Sequence, residues 1–428
     1  MQHNGVSGLF SRLPDCRVKE ETQMLKLYNS LGKKIEEFRP VNPDVVNIFT
    51  CGPSVYQRAH IGNLRTFLFE DVLIRYLEYL GYKVRRGMNF TDIEDKALKE
   101  AHRKKTTLGA LTSGIIQTFL GEMQDLRMKM PDYLPRASEH VDDAARIIRQ
   151  LINKGVAYRH GDNIYFDPLK FPGFGRIYGL DMTAWPSKKI RFHRDTYPGL
   201  RWNRGDFILW HGCRADDRVC WDSEIGSGWP AWNIQDPSMV SRYFAEPLSI
   251  YCGGIDNLIR HHDYSAAILE SVRPYPMSRF WLHCRHLFVN GKKMSKSTGN
   301  IIYIDTLLKK GYTQEEIRFY LIYGHYGKQM NYRDEAIEKS SSRLQTVRDR
   351  IGKISGKAGA EAEPEETRSL RIKTIFTKHM DNDLDVKKAF DGVASILDGI
   401  SPDRLQAAEA AAIMAAMREI DYVLQILI

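Results

Sequence analysis

The chain has 428 residues, 43% hydrophobic and 27% charged, which is enough for two or three domains that each bury a core. The N-terminal stretch carries no apolar run suited to a signal peptide, and no window offers some twenty uninterrupted apolar residues, so a soluble cytoplasmic protein without membrane contact is expected. Six cysteines (Cys16, Cys51, Cys213, Cys220, Cys252, Cys284), none in a CxxC pair, argue against a disulfide framework and for reduced thiols. A net charge of +9, with clusters at Lys83/Arg85/Arg86, Arg103/Lys104/Lys105 and Lys188/Lys189/Arg191/Arg194, suits a polyanionic partner such as RNA or solvated faces.

In chain order, the apolar, β-branched run Val45 to Gly52 ends in Gly-Pro and leads into the helix-period segment LRTFLFEDVLIRYLEYLGY. KVRRGMNF is a second strand, and Thr91-Asp-Ile-Glu94 has the spacing of a capping box opening another helix. Such alternation predicts a parallel sheet with helices on its faces. From about Leu111 to Phe244 the chain is first helical (EHVDDAARIIRQLINKG), then rich in Gly, Pro and Trp, with NIYFDP, KKIRFHR and DFILWHG as short strands; this reads as an insertion. LSIYCGGID and RFWLHCRHLFVNG resume the sheet. From Thr313 the pattern is helical to the end, broken by an exposed loop over Gly356 to Thr367.

Two segments carry chemistry. CGPSVYQRAHIGN (Cys51 to Asn63) lies at the first strand-to-helix turn: Gly52, Pro53 and Gly62 shape it, and His60 and Asn63 stand where a helix N-terminus offers free N–H groups to a phosphate. GKKMSKSTGN (Gly291 to Asn300) follows the last sheet strand, and its Lys293 and Lys296 can close over a triphosphate and neutralise charge on the reacting phosphorus. There is no P-loop, and GFGRIYG misses the dinucleotide fingerprint by one residue.

The paired His60-Ile-Gly-Asn63 and Lys293-Met-Ser-Lys-Ser297 segments are similar to the signatures of class I aminoacyl-tRNA synthetases. CGPSVYQRAHIGN, NFTDIEDKAL, WNIQDPSM, CGGIDNLIRHH and MDNDLDVKKAF together resemble the cysteinyl-tRNA synthetase family over most of the chain. The resemblance implies an α/β fold. A Rossmann-like nucleotide-binding domain (1–110 and 246–312) would carry an inserted mixed domain (111–245), and a C-terminal α-helical bundle (313–428) would follow. It implies a ligase, expected to be monomeric, that uses ATP and magnesium to activate cysteine or a small relative and transfers it to tRNA. His60, Asn63, Lys293 and Lys296 would be catalytic, and Gly52, Gly62, Gly253, Gly254 and Asp256 would complete the ATP site, with His261 nearby.

The family holds zinc with two Cys, a His and a Glu, and the substrate thiolate binds that metal. Here Cys51 and His261 match two ligands, while the second cysteine falls at Asp236 and the glutamate at Ser265. Cys51, Asp236 and His261 are the candidate metal residues, with Cys252 or His262 as substitutes; whether zinc is kept, and with it cysteine as substrate, stays open. The chain also stops after the helical segment without the further anticodon-reading portion most members append. An amide-forming reaction on a small amine, as in the mycothiol ligase branch, is therefore an alternative, and a non-catalytic RNA-binding relative is a third reading.

Overall fold

The computed structural model describes residues 24–184, 205–213, 219–295, 297–357 and 366–428. At the centre stands a four-stranded parallel sheet in the order Ser278–Cys284, Leu248–Gly254, Val46–Thr50, Val84–Met88. Ile48 lies beside Ile250 on one side and Arg86 on the other. All five residues of Val46–Thr50 are buried, as expected of a strand covered on both faces, and its side chains alternate between two cores. Ile48, Ile250 and Leu282 pack with the helix Ile61–Tyr79 and the C-terminal helices. Phe49, Tyr251 and Trp281 pack on the opposite face with Ile148, Phe207, Trp210 and Tyr264.

The second core is shared with the region between the strands Val84–Met88 and Leu248–Gly254. There Ala157–His160, Asn163–Phe166, Phe207–Gly212 and Gly228–Pro230 form an antiparallel sheet against the helix Val141–Asn153. The helix Ile61–Tyr79 is enclosed almost all round, because the helices Gln314–Tyr323 and Ala407–Leu424 cover the side turned from the sheet. Three of its four buried charges are paired, since Asp71 lies 3.0 Å from Arg75 and 2.6 Å from Arg318 and Glu70 lies 3.0 Å from Arg86, while Arg65 donates to the backbone carbonyls of His325 and Lys328 at 2.9 Å each.

Several sequence-based expectations need correction. Arg86 belongs to no surface cluster; it is 3% exposed and committed to Glu70 and Thr50. Thr91 and Glu94 form no capping box: Thr91 is buried beside Asn89, and Glu94 precedes the helix Asp95–Arg103 without a side-chain cap bond. Cys213 and Cys220 are joined in a disulfide, whereas Cys51, Cys252 and Cys284 are free. RFWLHCRHLFVNG supplies two strands, Ser278–Cys284 and Leu287–Val289, the second of which pairs with Met330–Tyr332 inside the stretch read as wholly helical. KKIRFHR, the Lys188-to-Arg194 cluster, Cys16 and residues 358–365 of the acidic loop lie outside the described residues.

Candidate active site

One cavity of ≈ 340 Å³ opens at the C-terminal ends of the central strands. At its first wall the strand Val46–Thr50 ends and the helix Ile61–Tyr79 begins, with His60 as N-cap. His60 Nδ1 accepts from Asn63 N at 3.3 Å, and Asn63 Oδ1 accepts from His60 N at 3.1 Å, a reciprocal cap that fixes both side chains. Burial holds the His60 ring below its usual pKa, so it is neutral near pH 7. With Nδ1 used as acceptor, Nε2–H remains to donate to an anionic oxygen.

The facing wall is a hairpin of Leu287–Val289 and Lys292–Lys293, turned by Asn290 and Gly291 at φ 50° and 77°, the positive values a two-residue hairpin turn needs. It brings Lys293 and Met294 to the cavity, where Asp256 and Gly254 also lie. Lys293 Nζ stands 3.9 Å from Asp256 Oδ2, with both side chains more than half exposed. Asn300 ties the loop down, accepting from Ser295 N at 3.0 Å and donating to Lys293 O at 3.2 Å. Gly62 leaves room for this loop, since a Cβ there would meet Met294 Cε at 2.7 Å. Lys296 lies outside the described residues.

The inner end of the cavity is lined by Cys51, Asn89, Thr91, Trp232 and His261. Behind it Asp236, fully buried, collects hydrogen bonds: Oδ2 from His261 Nε2 at 2.8 Å, from Cys51 Sγ at 3.2 Å and from Tyr251 Oη, and Oδ1 from Asn89 Nδ2 at 2.9 Å. Burial alone would raise the Asp236 carboxyl, but His261 and these donors outweigh it and hold it below the usual range. Burial and that neighbouring carboxylate push the Cys51 thiol up, so the sulfur keeps its proton. On the far side of Cys51, His262 Nε2 is 3.0 Å away; Gly253 permits the approach, because a Cβ there would lie 2.8 Å from the His262 ring.

Apart from Lys296, the predicted residues thus divide into two groups. Cys51, Gly52, His60, Gly62, Asn63, Gly254, Asp256, His261 and Lys293 line one cavity, whereas Gly253 and Asp236 stand behind its wall. Of the two substitute ligands, His262 joins the cluster and Cys252 packs into the other core. Asn89, Trp232, Tyr251, His283 and Ser30 were not singled out from sequence. Asn89 and Trp232 sit inside quoted motifs, while Ser30 and His283 carry no local signal.

Cys51, His261 and His262 bring donor atoms within 4.8 Å of one another, so a metal has to be considered. Zinc bonds of about 2.0–2.3 Å set tetrahedral donors roughly 3.3–3.8 Å apart around a common centre. Cys51 Sγ lies 3.0 Å from His262 Nε2 and 3.2 Å from Asp236 Oδ2, and His261 Nε2 lies 2.8 Å from Asp236 Oδ2, all hydrogen-bond distances; Asp236 already accepts four hydrogen bonds, and Ser265, at the family's glutamate position, is a poor ligand. The residues present do not fit the zinc that the resemblance implies.

The parallel sheet, the capped His60–Asn63 turn and the facing lysine hairpin define a class I tRNA synthetase catalytic domain, and the family model described as "tRNA synthetases class I (C) catalytic domain" matches residues 37–342. The chain is 34% identical over 421 residues to the cysteine–tRNA ligase of Chlamydia muridarum, covering 94% of this chain and 88% of that protein. It is 35% identical over 368 residues to that of Brachyspira hyodysenteriae, covering 85% and 77%. It belongs to the cysteine–tRNA ligase family. Among solved structures, the methionyl-tRNA synthetase of Mycobacterium tuberculosis with methionyl-adenylate aligns over 89% of this chain and 92% of its own at a TM-score of 0.64 and 14% identity. The leucyl-tRNA synthetase of Agrobacterium radiobacter K84, in a ternary complex, aligns over 91% and 85% at 0.63 and 12%. At such identities these two speak for the fold alone. Among the described residues no helix is long and apolar enough to cross a membrane.

Proposed function

We propose that the chain activates a small amino acid with ATP and transfers it to the 3′ end of a tRNA. The observation that carries this reading is the placement, around one cavity, of the neutral His60–Asn63 cap opposite Lys293, with a side-chain subsite at the inner end. The amino-acid carboxylate attacks the α-phosphorus; an O–P bond forms as the bond to the bridging oxygen breaks, and pyrophosphate leaves. A tRNA ribose hydroxyl then attacks the carbonyl carbon of the mixed anhydride and AMP departs.

His60 Nε2–H and the helix N-terminus meet the phosphates, and Lys293 with Lys296 neutralises charge built on the α-phosphate. Asp256 holds the ribose beside Gly253 and Gly254. Magnesium enters with the phosphates as part of the substrate. Catalysis is positioning plus electrostatics, with no covalent enzyme intermediate.

The tRNA acceptor is preferred over the amide-forming alternative because the matched cysteine–tRNA ligase of C. muridarum runs along 94% of the chain. The test is ATP–pyrophosphate exchange across all twenty amino acids, followed by charging of total tRNA with the one that exchanges. Exchange that survives Lys296→Ala undiminished would overturn the assignment of the loop. Amide formation with a metabolite pool and no tRNA charging would overturn the acceptor.

A further inference from the structure

The inner end of the cavity is a directed hydrogen-bond network with one open position. Ser30 Oγ lies 2.7 Å from His283 Nδ1, His283 Nε2 lies 2.7 Å from His262 Nδ1, and His262 Nε2 lies 3.0 Å from Cys51 Sγ. With one proton per link the chain runs Ser30 to His283 to His262 to Cys51, and the thiol donates to Asp236. His261 is the unfinished branch. In the neutral ring with its proton on Nε2, the Nε2–H donates to the Asp236 carboxylate at 2.8 Å and Nδ1 is an acceptor, and that buried atom has no hydrogen-bond partner among the described residues. The ring is 1% exposed, lines the cavity, and is held against Trp232 at 4.2 Å with planes 8° apart.

A rigid, buried acceptor beside a substrate cavity asks for a donor from the substrate. We propose that His261 Nδ1 reads the amino-acid side chain. The activated amino acid has a short side chain ending in a hydroxyl or thiol that donates to this nitrogen, and no metal ion takes part in selecting it. This rests on the activation reading above. Cys51, Thr91 and Trp232 close the subsite around a short chain, and an amino acid without the donor leaves Nδ1 unpaired on binding, the arrangement by which protein sites reject apolar analogues most strongly.

The experiment takes the full-length protein purified from zinc-supplemented medium, determines its metal content, and measures exchange with L-serine, L-cysteine and L-alanine. Expected are well under one equivalent of metal, unchanged exchange after chelator dialysis, and a kcat/KM for alanine lower by about 10²-fold or more than for the better of the other two; whichever of serine and cysteine leads names the side chain. His261→Gln keeps a nitrogen for Asp236 and removes Nδ1, so the preference over alanine collapses, chiefly through the amino-acid KM. If that variant is unstable, the Tm shifts of the wild type with each amino acid give the same ranking. One equivalent of zinc with a thiolate-to-metal band after cobalt substitution overturns the proposal, as does alanine within tenfold of serine and cysteine. Absence of exchange with any amino acid sinks the activation reading, and the metal content with the Tm ranking still decides this one.

Discussion

Gly52 and Asn89 hold the turn after the strand Val46–Thr50 and the buried carboxylate in one register: Gly52 N donates to Asn89 Oδ1 at 2.8 Å, while Asn89 Nδ2 donates to Asp236 Oδ1 at 2.9 Å. The approach is so close that a Cβ on Gly52 would fall 1.7 Å from the Asn89 carbonyl oxygen. That obstacle is backbone and cannot swing aside. Gly52→Ala should therefore push the turn from the strand Val84–Met88 and move His60 relative to the inner subsite. A displacement near 1 Å costs about 10²-fold in rate. Exchange assays should show that loss together with a lowered Tm; wild-type rates in the variant would mean that the turn does not position the reacting groups.

Lys293 differs because stability does not depend on it. Its side chain is 61% exposed and that of Asp256, 3.9 Å away, is 59% exposed, so the pair adds little to folding. Lys293→Ala should leave the Tm within about 1 °C of wild type. Exchange should fall by about 10²–10³-fold, the usual effect of removing one group aimed at transition-state charge. The comparison to make is ATP affinity against kcat: a loss confined to ATP binding would place Lys293 in ground-state recognition only.

How far this site was legible in the sequence follows from the range of the forces involved. The His60–Asn63 helix start is a local device made by residues within a few positions and is visible in a single chain, whereas the equally local Asn290-Gly291 turn is hidden at the end of a run that reads as one strand leading to a loop. Asp236 is a hub only because the fold delivers Cys51, Asn89, Tyr251 and His261 to it from four places, and Ser30 reaches His283 across 253 positions. Charge pattern misled at Arg86, since a buried arginine paired with Glu70 reads in sequence like any surface arginine. Thr91 has the spacing of a cap, yet it packs beside Asn89 and the helix starts later.

The contact between the central helix and the C-terminal helices turns on Arg318, which donates to Asp71 Oδ2 at 2.6 Å and to the carbonyls of Leu424 and Leu126 at 2.7 Å each. Arg318→Ala strips two buried carbonyls of their donor and leaves Asp71 with Arg75 as its one charged partner beside the Lys129 N–H at 2.7 Å, a loss of about 3–5 kcal/mol in urea unfolding. Burial raises the Asp71 carboxyl, but Arg318 and Arg75 outweigh it and hold it below its ordinary value. That contribution is present above the unfolded carboxylate pKa and disappears as pH falls through the lower folded one. The gap between wild type and variant should therefore narrow below about pH 4. A gap independent of pH would show that packing, not charge, dominates at this position.

Asp381 carries the opposite sign. It is 5% exposed, accepts from Tyr76 Oη at 2.5 Å, and burial lifts its carboxyl from 3.8 to about 6. The folded state therefore binds this proton more tightly than the unfolded chain. The resulting stability is complete below the unfolded value and is lost as pH rises through about 6. Asp381→Asn can still accept from Tyr76 and never bears the buried charge. Its Tm should match or trail wild type near pH 4 and overtake it by about 1–3 °C at pH 7 to 8. Melting curves at half-unit steps of pH make the comparison, and a difference that does not change sign or widen between pH 4 and 7 would show that Asp381 is no more costly to ionise in the folded protein than in the unfolded chain.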